Sequence, residues 1–187
     1  MSHDAIWLDA TRETLAGYRK LIDGAVGQLS DEQFFARPQP ELNSVATLLR
    51  HLGGNLNSRW MDFLAVDGEK PTRDRDLEFA NWHGSREELM QYFDAGWRCL
   101  TDTLQSLETD DLQQTVTIRG EAHTVPQAIL RSLTHISYHV GQILMIARIS
   151  YGDDRTWQWL TIRPGGSRQH NESTWGSSAS RGVAGQR

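Results

Sequence analysis

The sequence predicts an all-α chain of four long helices with a small β-hairpin before the last of them. Three observations carry that prediction. Apolar residues recur at spacings of three and four in four separate stretches. Residues that cap helices stand before three of those stretches. One short segment, TVTIRGEAHT, instead alternates apolar and polar residues on its way into a glycine turn.

Ile6, Leu8, Leu15, Leu21, Ile22 and Leu29 mark the first helix, over residues 4–29. The segment DEQFFARPQPELN follows, and its two prolines remove backbone donors and end helical structure. Asn43 or Ser44 caps the second helix, whose stripe is Val45, Leu49, Leu52, Leu56, Trp60 and Phe63 and which stops before Asp67-Gly68. The polar stretch DGEKPTRDRDLEFANWHG is too long for a tight turn and reads as a surface loop able to overhang a cleft. Ser85 and Glu88 form the capping-box pattern S-x-x-E and open the third helix through Leu89, Tyr92, Phe93, Trp97, Leu100 and Leu104. Val116 and Ile118 alternate with threonines up to Arg119-Gly120, which gives the hairpin. Thr124 then starts the fourth helix with Pro126 in its first turn, and Gly152 stops it after Tyr151.

With 187 residues the chain has room for one core, so the expected organisation is one domain, residues 1–162, and a tail, residues 163–187. The tail is rich in glycine and serine and buries too little apolar surface to offset its ordering entropy, so its composition predicts mobility. The net charge is −5, from 19 basic and 24 acidic residues, with no lysine or arginine block that would track a phosphate backbone; nucleic acid is not an expected partner. No apolar run approaches the roughly 18 residues of a membrane span, so no membrane partner is expected either. The single cysteine, Cys99, has no internal partner, and MSHDAIWLDATRE lacks the order of a signal peptide. The expected location is the cytoplasm.

On the fourth helix Ile129, Leu133, Ile136, Val140, Ile143, Leu144 and Ala147 share one direction, at about 100° per residue. His135, His139 and Gln142 form a second row flanking that core stripe. Two histidines at i and i+4 converge on a single ion in the zinc-protease motif, yet the spacing alone leaves surface or core histidines open. A third donor has to come from elsewhere. His51, in LLRHLGGNLNSRW beside Gly53-Gly54, is the best candidate, although the angular count puts it far from the apolar stripe of its helix and near solvent. His3 and His170 lie in terminal segments, His83 in the loop and His123 in the hairpin, where surface roles are expected.

The segments NSVATLLRHLGGNLNSRW, HTVPQAILRSLTHISYHVGQI and WQWLTIRPGGS together resemble DinB-like (YfiT-like) proteins, a bacterial family of metal-binding four-helix bundles, from the first helix to about Ser167. The resemblance implies an up-down-down-up four-helix bundle and a metal site of His51, His135 and His139 in an open cleft. Three imidazoles leave a coordination position for water or substrate. They suit several divalent ions, with zinc and nickel the leading choices. The resemblance further implies a thiol-dependent S-transferase or isomerase using a low-molecular-weight thiol, a small-molecule substrate and a homodimer.

Asn55 and Arg59 continue the row of His51 at i+4 and i+8. Arg59 either anchors a substrate carboxylate or makes a surface salt bridge, and Gln142 either orients a histidine or packs between helices. Cys99 reads as a structural cysteine rather than the reacting thiol. Two other functions stay open: a non-enzymatic metal-binding or interaction module, and a metal-assisted hydrolase. The last lacks an evident general base, since no glutamate follows either histidine of the fourth helix as in H-E-x-x-H.

Overall fold

The computed structural model describes residues 2–152 and 156–176. They fall into two units, one within residues 1–154 and one within 155–187. The first contains α1 (His3–Val26), α2 (Asp31–Phe35), α3 (Val45–Trp60), α4 (Arg75–Phe79), α5 (Arg86–Ser106), a 3-10 turn (Thr109–Gln113), β1 (Thr115–Ile118), β2 (Glu121–Thr124) and α6 (Val125–Tyr151). The described residues are thus mostly helical, with one small antiparallel hairpin.

The starts of the long helices follow from their caps. Ser44 accepts from the Thr47 amide. Ser85 with Glu88, and Thr124 with Gln127, form complete capping boxes that satisfy otherwise orphaned donors. Two boundaries differ from the periodic reading. The first helix stops at Val26, and a separate short helix, α2, restarts behind a Ser30–Gln33 capping box. The second long helix ends at Trp60, but Phe63 beyond it is still buried because its ring stacks on Trp60 at 4.6 Å.

α3 packs along α5 and also against α6, while α1 packs on α6. Leu8, Leu15 and Ile22 from α1, Leu49, Leu52 and Leu56 from α3, Phe93 and Leu100 from α5, and Ile129, Ile136 and Ile143 from α6 are all buried. Each such side chain contributes about 1.5–3 kcal/mol when taken from water. The close approach of α3 to α5 depends on a glycine pair, because a methyl on Gly96 would run into the Gly53 carbonyl.

The hairpin pairs Thr115 with Thr124 and Ile118 with Glu121. Arg119 (φ 56°) and Gly120 (φ 76°) form its two-residue turn, with both backbones in the left-handed region that such a turn demands. The Asp67 carboxylate accepts from both turn amides at 2.8 Å, which pins the hairpin to the segment after α3.

In the second unit, α7 (Ser167–Trp175) follows Gly165-Gly166 and ends at Gly176. This helix lies within the tail whose composition predicts mobility, and the stretch between the glycines contains no proline or glycine to interrupt it. Residues 177–187, on which the rest of that expectation falls, lie outside the described residues. No helix among the described residues is long and apolar enough to cross a membrane.

Candidate metal centre

α6 carries His135 and His139 one turn apart, and α3 brings His51 to them. Nε2 of His135 lies 3.1 Å from Nε2 of His51 and 3.1 Å from Nε2 of His139. One donor atom from each of the three falls within 4.8 Å of the others. Nitrogens bonded to a tetrahedral ion at about 2.0–2.1 Å stand roughly 3.3 Å apart, so the spacing suits a metal.

The outer ring nitrogens decide what the inner ones offer. Nδ1 of His51 lies 2.8 Å from Oε2 of Glu78, and Nδ1 of His139 lies 2.8 Å from Oε1 of Gln142. A carboxylate and an amide oxygen only accept, so both Nδ1 atoms hold the proton and both Nε2 atoms turn lone pairs inward. Those lone pairs face Nε2 of His135, 3.1 Å from each, and either a cation or a proton on that nitrogen sits between them. Burial, reinforced by the proximity of His139 and His51, pushes the His135 pKa down to about 3. Burial also lowers that of His139, against the opposing bond to Gln142. Both are neutral donors at neutral pH.

His51 is 4% exposed, against the angular expectation of a near-surface residue. The cover is α4, inside the loop that the sequence presents as polar. Phe79 places its ring 4.7 Å from the His51 ring, and Glu78 reaches beneath it. Glu78 is itself buried and receives Nε and Nη2 of Arg73 at 2.8 and 2.9 Å. Burial works to raise the Glu78 pKa, but the bonds from His51 and Arg73 outweigh it and hold the group ionised below the usual glutamate range. Gly54 makes this possible: a side chain there would strike the Glu78 carboxylate and stand 2.8 Å from the Tyr92 hydroxyl. The sequence reading missed Glu78 and Arg73. Its only local signal is Asp74, a capping residue ahead of RDLEF, which does cap α4.

A cavity of about 410 Å³ opens from His51 and His135 and runs between α3 and α6 to Ile118 and Arg119 of the hairpin. Trp60 Nε1 donates to Ser132 Oγ at 3.1 Å and ties the two helices along it. Asn55 lines the cavity, and its side chain has no hydrogen-bond partner among the described residues. Arg59 lines it too, but its guanidinium is held by Glu69 at 2.8 Å and by the Gly68 carbonyl. Gln142 stands at His139, away from the cavity lining. Trp82 and His83 line a different hollow, with Arg50 over the Trp82 ring, and do not cover the histidines. Cys99 lies outside the cavity, and burial pushes its thiol pKa up, which suits a structural cysteine.

A family model described as a protein of unknown function, DUF1572, matches residues 2–166. No curated protein matches the chain.

Proposed function

The chain belongs to the DUF1572 family, and on that premise we propose that it is a metal-dependent enzyme of the DinB-like kind, a thiol-dependent S-transferase acting on a small electrophile. One observation carries the reading: three imidazole nitrogens converge beside an open cavity that His51 and His135 line, with the rings of His51 and His139 fixed in tautomer from outside. His51, His135 and His139 would hold one divalent ion, zinc or nickel. The four long helices are taken as the up-down-down-up bundle of that kind.

When bound, the ion lowers the pKa of a thiol and keeps it nucleophilic at neutral pH. The remaining work falls to the chain. Glu78 and Gln142 keep His51 and His139 in the donor tautomer, and Phe79 shields the His51 ring. Asn55, whose amide has no partner among the described residues, orients the electrophile. A sulfur–carbon bond forms, the bond from that carbon to its leaving group breaks with its electron pair, and the thiol proton passes to solvent. Among the described residues no carboxylate lines the cavity, an arrangement that favours a nucleophile needing no general base over hydrolysis.

Elemental analysis of untagged protein is expected to find about one zinc or nickel per chain, lost in the double variant H135A/H139A. Glutathione, cysteine and coenzyme A are then offered with a chromogenic aryl halide. Conjugation above background with at least one thiol, abolished in the double variant, is the expected result. Full metal content with no acceleration by any thiol rejects the transferase and leaves a metal-binding module; absence of metal rejects both.

A further inference from the structure

Beyond the histidines the cavity is lined by five arginines, Arg59, Arg73, Arg75, Arg119 and Arg131. Three have carboxylate partners behind them. Glu69 binds Arg59 at 2.8 Å and Arg119 at 2.9 Å and stands 3.6 Å from Arg73, whose main partner is Glu78. Arg75 lies 5.0 Å over the Phe79 ring and has no carboxylate partner among the described residues; nor has Arg131. Five guanidiniums are thus backed by three carboxylates, those of Glu69, Glu78 and Asp67, which leaves an excess of two positive charges around one hollow, in a chain whose net charge is −5. Like charges gathered around one hollow repel one another and concentrate anions there, and Arg75 and Arg131 are exposed and so reachable from solvent.

The unpaired pair is also well placed. Arg131 precedes His135 by one turn on the same face of α6, about 6 Å along the axis. Arg75 opens α4, the helix whose Glu78 holds His51. An anionic group between these two arginines would leave the other end of a short molecule at the three imidazoles.

We propose that the cavity binds a small organic oxyanion, a carboxylate or a phosphate ester, gripped by Arg131 and Arg75 with its far end at the histidine cluster. This deepens the transferase reading, on which it rests for the role of the ligand: the electrophile is itself an anion. A planar guanidinium is suited to this, since it offers two parallel donors to carboxylate and phosphate alike.

Calorimetric titration of the full chain with succinate, its neutral counterpart succinamide, and inorganic phosphate tests the proposal. The proteins compared are the parent, R131Q, R75Q and K20Q, the last on α1 outside this cavity. Succinate or phosphate is expected to bind, more weakly as salt rises, and each cavity substitution to weaken it about tenfold or more, while K20Q has no effect and metal content is the same throughout. Which of the two anions binds assigns the class. The proposal is overturned if neither binds, if succinamide binds as well as succinate, or if both arginine substitutions leave the affinity unchanged. Conjugation of a neutral aryl halide without anion binding removes this inference alone; anion binding with no conjugation of either a neutral or a carboxylate-bearing aryl halide under any thiol removes the transferase alone.

Discussion

Glu78 sets the character of the candidate centre from one bond away. Its buried carboxylate accepts a hydrogen bond from Nδ1 of His51 and a two-pronged bond from Arg73, so it both orients the ring and makes its inner nitrogen more electron-rich. Glu78→Gln keeps the volume and removes the charge. Metal affinity is expected to fall about 10- to 100-fold by chelator competition, and stability by about 1–3 kcal/mol as Arg73 loses its counter-charge. Unchanged affinity in a folded variant would show that the glutamate plays no part in binding. The histidine pair of α6 was legible in the sequence because both residues sit on one face of one helix, and Gln142 was legible in the same row. The burial of His51 was not. Angular position is measured against a helix's own apolar stripe, and what buries this residue is a turn of chain 27 positions away.

Short elements explain where the reading of the chain stopped. α2 and α4 have five residues each, fewer than two turns, so no hydrophobic period develops in them. The long helices, the hairpin and the Arg119-Gly120 turn were all legible, since caps, period and turn residues agree there. The Gly53–Gly96 contact between α3 and α5 leads to one expected outcome: Gly96→Ala overpacks the crossing and lowers stability by about 1–3 kcal/mol in denaturant unfolding. The hairpin's attachment leads to another. Backbone amides of Glu69, Gly120 and Arg119 hold the Asp67 pKa below its ordinary 3.8. For Glu69, bonds from Arg59 and Arg119 outweigh burial and hold its pKa below 4.5. A carboxyl lowered on folding stabilises the fold fully above its unfolded pKa and loses that contribution as the pH falls through the folded one. Hydrogen exchange at Arg119 and Gly120 should therefore become anomalously fast only as the pH falls below 3.8 and through the lowered Asp67 pKa, while α6 stays protected. Asp67→Asn should show the fast exchange already at pH 7; an unaltered turn in that variant would mean that Asp67 does not anchor it.

For the whole molecule, periodicity identifies which face of each helix is buried but not which helix covers it. That α3 lies along α5 while α1 lies on α6 could not be read from any single segment. The histidine cluster spans a further unwritten pairing, that of α3 with α6, across 84 positions of sequence, and Glu78 extends it to α4. An ion held there closes a long loop and binds only the folded chain, so its binding energy adds to folding. At free metal 100 times the dissociation constant the gain is about 2.7 kcal/mol. For a chain of this size each kcal/mol moves the thermal midpoint by about 2–4 °C, so metal-loaded protein should melt roughly 5–10 °C above protein stripped by a chelator. The same comparison on H135A/H139A should show no shift, because the remaining histidine, His51, cannot bridge two helices alone. A midpoint indifferent to zinc and nickel in the parent protein, under conditions where either ion is bound, would place the ion somewhere other than the junction of α3 and α6.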